Sequence, residues 1–389
     1  MGRMNDASFR ATHQSDSLLI VKPDYAATHP HEAIAPPGTL YIPSLDGIRA
    51  VSFFLVFFSH AGFGDVVPGG FGVGIFFLLS GFLITTLLRV EFDRCRRISL
   101  GSFYLRRVLR ILPPLYVTMI FATFLTILGG GVRAIPFAGT VAQTFQVSNF
   151  YQIWAPSPKI MAGTGVLWSL SVEEHFYLIF PLLYIWMCSR IPNRTQAVIL
   201  LAGCAIALAW RCILRLHFHV DAIRTNFGTD TRFDSILFGC LFAVIANPVL
   251  RDPLYEWLQQ RIRWFLPTCV VMLLSTFLYR SESFRETFRY TLQGISLIPL
   301  FIAAIRYQKS WPVLLLNLPF VRFLGVLSYT LYLSHAVFLA GFDHLLPSQT
   351  TLSTILALLS AFCFATLVHY LVERPCTRLR RRLSKSLKA

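Results

Sequence analysis

A histidine interrupts an apolar stretch near the start of the chain. His60 lies in VSFFLVFFSHAGFG (residues 51–64), and Arg49 precedes it by eleven residues in DGIRAVSFFL. Eleven residues make about three helical turns, so both side chains are expected on one face, about 16 Å apart along the axis. A histidine serving as a general base, with the arginine at the mouth of the same cavity, is one interpretation. An interfacial arginine and a hydrogen-bonded structural histidine are the other.

Two further polar groups interrupt apolar stretches. Arg107 and Arg110 in FYLRRVLRILPPLY are three residues apart and therefore neighbours on a helix. They suit the phosphates of a nucleotide-like donor, and equally suit ordinary membrane anchors. In GVLWSLSVEEHFYLIFPLL, Glu173 and Glu174 point about 100° apart, so at most one is expected to face the core. Glu173 is predicted either to pair with an arginine or to orient and charge His60.

The composition is that of a protein embedded in a membrane. Of 389 residues, 55% are hydrophobic and 14% charged, and the mean hydropathy is +0.58. The net charge of +16 is concentrated in short segments between apolar stretches, which favours a role in topology over nucleic-acid binding. The eight cysteines form no CxxC or Cys/His pair at metal spacing, so neither a metal site nor a disulfide framework is expected.

Apolar segments long enough for a hydrocarbon layer predict an all-α, polytopic transmembrane bundle of about ten helices. The candidates lie near residues 46–64, 70–89, 108–128, 166–188, 195–216, 231–247, 264–279, 290–305, 322–342 and 352–372.

Glycines in the second candidate indicate close helix packing. Gly70, Gly72 and Gly74 superficially resemble a phosphate-binding loop, but they follow no predicted strand. Small residues let helices approach each other, and the same interpretation applies to Ser80 and Gly81.

The basic segments predict the orientation. The stretches 88–110 and 374–388 are strongly basic, whereas 129–165 carries only Arg133 and Lys159. By the positive-inside rule and an even helix number, both termini are expected on the cytoplasmic side of a bacterial inner membrane. Residues 1–43 show no apolar core of a cleavable signal peptide and are expected to form a disordered cytoplasmic tail. A membrane domain is predicted over 44–376 and a basic cytoplasmic tail over 377–389.

Five motifs resemble the acyltransferase 3 family of integral membrane O-acyltransferases over residues 41–376. They read DGIRAVSFFLVFFSHAGF, GVGIFFLLSGFLIT, FYLRRVLRILPPLY, LWSLSVEEHFYLIFP and LSYTLYLSHAVF. Arg49 and His60 resemble the family's R-x10-H motif, Arg107 and Arg110 its RxxR pair, and Glu173 the glutamate of its WSLSxE segment. The chain also resembles a later family motif at Ser328, Tyr329, Tyr332 and His335, and the family's usual ending at Glu373-Arg374-Pro375.

The resemblance implies transfer of an acyl group, expected to be acetyl, from cytoplasmic acyl-CoA to a carbohydrate hydroxyl. His60 is then the expected base, with Glu173 beside it, and Arg49, Arg107 and Arg110 are expected to hold the coenzyme phosphates. His175 and His335 are the next candidates for the base. We expect no appended esterase-like domain of the kind some members carry, so no second module indicates the acceptor. A transporter or flippase of a glycan or lipid-linked precursor is the alternative, and it would favour internal repeats, which are not seen between 46–188 and 195–342.

Overall fold

The computed structural model describes residues 42–130, 135–346 and 350–386, which fold into helices without any strand. The expected tail over residues 1–43 lies outside the described residues except for its last two positions. The helices are α1 Pro43–Phe58, α2 Gly69–Cys95, α3 Leu100–Gly130, α4 Phe137–Thr144, α5 Ser148–Trp154, α6 Leu167–Arg190, α7 Asn193–Cys212, α8 Ala222–Phe227, α9 Thr229–Ile245, α10 Pro253–Leu278, α11 Glu282–Glu286, α12 Phe288–Arg306, α13 Val313–Leu316, α14 Pro319–Leu345, α15 Thr350–Val368 and α16 Arg374–Ser386.

The predicted all-α, membrane-spanning class is confirmed. Within the described residues, nine helical segments are long and apolar enough to cross a bilayer. They are Pro43–Phe63, Gly69–Cys95, Leu100–Gly129, Thr164–Arg190, Asn193–His217, Pro253–Leu278, Phe288–Arg306, Pro319–Leu345 and Thr350–Arg380. The remaining predicted segment, residues 231–247, corresponds to α9.

The packing of α1 against α14 indicates that α9 crosses as well. Asp46 near the start of α1 approaches Gly325 of α14, and His60 in the turn just after α1 contacts His335 further along α14, so the two helices run in the same direction. Consecutive crossings alternate in direction, and without α9 the helix α14 would be the eighth crossing, opposite to α1. A crossing by α9 makes α14 the ninth and restores the observed parallel direction. Counted with α9, the described residues contain ten crossings, which is the number that the sequence predicts.

The helix α9 has 17 residues and carries three charges in its first two turns, so it is shorter and less apolar than a typical crossing. Asp234 accepts a hydrogen bond of 2.7 Å from Arg211 of α7, and both side chains are fully buried. Arg211 also donates to the carbonyl oxygens of Thr231 and Thr287 and to the Thr291 hydroxyl. Because each polar group has a partner, the pair is tolerated away from water.

Glycines bring α2 close to two neighbouring helices. A Cβ atom on Gly72 would lie 2.5 Å from the Ser52 carbonyl oxygen of α1, and one on Gly81 would lie 2.0 Å from the Ile236 carbonyl oxygen of α9. Neither position has room for a larger residue. Gly74, by contrast, faces open space, so close packing explains some of these glycines and not all of them.

We expect Gly81→Ala to destabilise the protein, because the new methyl group would force α2 and α9 apart. The expected loss in free energy of unfolding is about 1–3 kcal/mol. Gly74→Ala is the matched control on the same helix, and it should leave stability unchanged or raise it by up to about 1 kcal/mol. Thermal unfolding of the purified proteins in detergent measures both. Equal midpoints for the two variants would contradict the close α2–α9 contact.

Candidate active site

His60 lies just after the end of α1, near the end of the predicted segment 46–64. The α-helix stops at Phe58, and the π-helical turn Ser59–Phe63 follows. Gly62 in this turn has φ = 94°, a left-handed conformation that glycine adopts without strain. Such widened turns are frequent at functional sites. The turn leaves His60 exposed, at the wall of a pocket.

This histidine pocket has a volume of about 400 Å³. It is lined by His60, Gln152, Ile160, Met161, Ala162, Gly163, Gly165, Val166, Trp168, Phe227 and Ala336. Gly163, at φ = 74°, packs directly against the backbone of Ala336 and so fixes the connection before α6 against α14. Polar side chains from His60 and Gln152 therefore face a largely apolar wall.

The ring of His60 has a partner on α14. Its Nδ1 atom lies 3.0 Å from Nε2 of His335, and the two rings stack with centroids 5.2 Å apart. His335 is fully buried and meets the ring of Phe53 edge-on at 5.9 Å. The histidine pair therefore joins an exposed imidazole to one held in the core.

A second, smaller cavity contains the predicted arginines. This arginine cavity has a volume of about 80 Å³ and is lined by Arg49, Phe76, Leu79, Ser80, Leu83, Arg107, Arg110, Ile111, Leu170, Glu173, Tyr177 and Tyr329. Arg49 is held by Asp46 at 2.7 Å, and Arg107 lies over the ring of Tyr177 at 5.2 Å. Three guanidinium groups thus line the cavity together with one carboxylate, so it is suited to an anionic ligand.

Glu173 belongs to the arginine cavity and not to the histidine pair. It accepts a hydrogen bond of 2.8 Å from the hydroxyl of Tyr177, which also contacts the Ser80 hydroxyl. Among the described contacts, the hydrogen-bond partner of the His60 ring is His335, so the expected pairing of Glu173 with His60 does not match this geometry. Glu174 also turns inward, with a buried Oε1 atom, although at most one of the two glutamates was expected to do so.

Aromatic side chains separate the two spaces. Phe76, which lines the arginine cavity, meets the ring of Tyr332 at 5.8 Å. The Tyr332 hydroxyl bonds to Ser169 at 2.5 Å and donates to the Val166 carbonyl oxygen at 3.1 Å. Its ring lies 5.7 Å from that of His335. The single cavity expected from the spacing of the first helix is therefore two cavities, divided by Phe76 and Tyr332.

His175 lies in a separate network. Its Nδ1 atom is 2.8 Å from the Thr229 hydroxyl, its ring stacks on Phe150 at 5.1 Å, and the Gln146 backbone also bonds to it. The ring of His175 is thus held by contacts within the fold and does not line the histidine pocket, whereas the ring of His60 does.

Sequence reasoning missed the pairing of His60 with His335 and the role of Tyr177. His335 is separated from His60 by 275 residues, and no local spacing connects them. The available signal was that both are histidines in otherwise apolar segments, which favours pairing of polar groups within a bundle.

The family can be named from comparison with known proteins. A model of an acyltransferase domain matches residues 42–374, nearly the whole described bundle. This chain belongs to the acyltransferase 3 family. The family motifs named above meet in the arginine cavity and at the histidine pair.

Curated relatives are acetyltransferases by name. O-acetyltransferase OatA of Staphylococcus aureus, from strains NCTC 8325 / PS 47 and COL, is 31% identical over 307 residues, covering 76% of this chain and 50% of the relative. A protein of strain COL named as a putative O-acetyltransferase is 29% identical over 312 residues, with the same coverage. The chain thus spans about half the length of these relatives. No solved structure gives a significant match.

Proposed function

We propose that this protein is an integral membrane O-acyltransferase that moves an acyl group, acetyl by preference, from acyl-CoA to a hydroxyl of a carbohydrate. The observation that carries the proposal is the pair of spaces divided by Phe76 and Tyr332. One contains three arginines, and the other contains an exposed histidine. An anionic donor and a neutral hydroxyl acceptor are thereby kept in different places.

The arginine cavity suits the donor. Coenzyme A carries phosphates, and the planar guanidinium groups of Arg49, Arg107 and Arg110 match phosphate oxygens in geometry and charge. A cavity of about 80 Å³ accommodates a phosphate group or a segment of the thioester arm, so the rest of the coenzyme would lie at the mouth of the cavity. Glu173 and Tyr177 would keep the arginines apart and in place.

The histidine pocket suits the acceptor. In the proposed step, Nε2 of His60 takes the proton of an acceptor hydroxyl, whose oxygen forms a bond to the thioester carbonyl carbon. The carbon–sulfur bond then breaks, and the leaving thiolate receives the proton from His60. For this step the acyl group must move past the contacting rings of Phe76 and Tyr332, and the surrounding apolar wall limits hydrolysis of the thioester.

The location follows from the basic segments. Arg49 lies near the start of α1, and Arg107 and Arg110 lie in the first half of α3, within the basic stretch 88–110. The positive-inside rule places this end of the bundle in the cytoplasm, where acyl-CoA would be available. With ten crossings, both termini of the chain would lie on that side. The histidine pocket would then open toward the opposite side of a bacterial inner membrane, where cell-envelope or exported polysaccharides are modified.

Replacing either donor-site arginine is expected to weaken acetyl-CoA binding. Arg107→Ala and Arg110→Ala should each lower the affinity on the order of 10-fold or more, because each removes charge-assisted hydrogen bonds. Lysine should restore only part of the affinity, since it lacks the planar fork. Titration calorimetry with purified protein and acetyl-CoA measures the change.

Arg106→Ala is the matched control for the arginine variants. Arg106 is next to Arg107 in sequence but pairs with Glu91 at 3.0 Å and does not line the arginine cavity. Its affinity for acetyl-CoA should stay within about twofold of the wild type, because exposed ion pairs contribute little. Unchanged affinity in an Arg107→Ala/Arg110→Ala double variant would refute the donor site.

The acceptor is expected to be an envelope or exported glycan. Cells lacking the protein should lose an acetyl-sized mass from one such glycan, and the wild-type gene should restore it. Mass spectrometry of the fractionated glycans makes the comparison. If every glycan fraction keeps its acyl groups, the acceptor is not a carbohydrate of this kind.

A further inference from the structure

The protonation of His335 follows from its hydrogen-bond partners. Its Nδ1 atom lies 2.8 Å from the carbonyl oxygen of Tyr332 and 3.3 Å from that of Leu331. A carbonyl oxygen can only accept a hydrogen bond, so Nδ1 of His335 must carry a proton and donate it.

The second nitrogen of His335 is then the acceptor in the histidine pair. His335 is fully buried, and its described contacts are the Tyr332 and Leu331 carbonyl oxygens, His60 and the rings of Phe53, Phe57 and Tyr332. None of these groups is a carboxylate that would compensate an imidazolium, and an unpaired buried charge is costly. His335 is therefore neutral, and its Nε2 atom offers a lone pair.

This arrangement determines the tautomer of His60. A lone pair on Nε2 of His335, 3.0 Å from Nδ1 of His60, requires Nδ1 of His60 to be the protonated nitrogen. In the neutral ring the other nitrogen, Nε2, then carries the free lone pair. His60 also lines the histidine pocket, so a basic nitrogen is available where a hydroxyl would enter.

We propose that His335 is a positioning residue that selects the Nδ1-protonated tautomer of His60 and holds its ring toward the histidine pocket. The inference rests on the proposed function, in which Nε2 of His60 is the base. His335 takes no part in the bonds made or broken. It does for His60 what a buried carboxylate does beside other catalytic histidines, with the difference that it accepts a hydrogen bond without bringing a negative charge.

The lack of charge suits the surroundings of the pair. A carboxylate at this position would have to be buried among the rings of Phe53 and Phe57 without a cation. A neutral imidazole avoids that cost, because its own N–H group is satisfied by the backbone of α14. The backbone carbonyl of Tyr332 thus orients His335, and His335 orients His60.

Two variants of similar size separate this role from a structural one. In His335→Asn the short amide can still donate to the Tyr332 carbonyl oxygen but does not reach His60. In His335→Gln the longer side chain places an amide oxygen where Nε2 was, so that it can accept from Nδ1 of His60. Transfer is expected to fall on the order of 10²-fold in the asparagine variant. Glutamine should recover part of that loss.

The loss should appear in kcat and not in KM for the donor. Acetyl-CoA affinity, measured by calorimetry, should match the wild type in both variants, because the arginine cavity is unchanged. A purely structural His335 would instead predict similar transfer rates for both variants at equal thermal stability, and that result would overturn the proposal.

A double-variant comparison distinguishes this inference from the proposed function itself. If His335 acts through His60, adding His335→Asn to His60→Ala should lower transfer by less than about twofold beyond His60→Ala alone, since coupled residues are not additive. A multiplicative loss would show that His335 acts independently of His60 and would refute the inference. An active His60→Ala protein would refute the base assignment, whereas an inactive His60→Ala protein with a fully active His335→Asn protein would refute only the positioning role.

Discussion

The parallel contact between α1 and α14 is the constraint on which the site depends. At one end, a Cβ atom on Gly325 would lie 1.9 Å from the carbonyl oxygen of Asp46, so only glycine permits this approach. Asp46 in turn holds Arg49 at the arginine cavity. At the other end, the same two helices bring His60 to His335. One helix pair therefore fixes Arg49 and His60 at opposite ends of its interface.

Burial of polar groups explains the rest of the architecture. A bilayer offers no water to unpaired charges, so partners within the bundle stabilise the charges buried there. Arg211 meets Asp234, and Arg89 meets Asp252 at 2.7 Å together with the carbonyl oxygens of Ala243 and Val244. These pairs tie α9 and its C-terminal connection to neighbouring helices. The arginine cavity differs, because it is lined by three guanidinium groups and only one carboxylate.

The sequence could predict the parts of the structure that depend on local pattern. Apolar length predicted ten crossings, including α9, whose charges fall in its first two turns. The seventh predicted segment, 264–279, corresponds to a longer helix that begins at Pro253. The prediction began too late because Arg261 and Arg263 lower the hydropathy of the first turns. A basic tail was expected over 377–389, and its residues through Ser386 belong to the helix α16. Residues 387–389 lie outside the described part.

Contacts between distant segments could not be predicted in this way. The spacing of Arg49 and His60 suggested one shared cavity, but the packing of Phe76 against Tyr332 divides the space, and no pattern in either helix indicates that contact. Helical geometry predicted that at most one of Glu173 and Glu174 faces the core, but it did not indicate that Glu173 lies in the arginine cavity, away from His60. The partner of His60 depends on the fold of the whole chain.

The central claim is that His60 removes the proton of the acceptor hydroxyl while the arginine cavity holds the donor. The most direct test is acetyl transfer by His60→Gln, with acetyl-CoA affinity and thermal stability measured on the same preparation. Glutamine keeps a hydrogen bond but cannot take a proton at neutral pH. The account predicts that transfer falls by a factor on the order of 10² or more while affinity and stability stay at wild-type values. Transfer near the wild-type rate would contradict it.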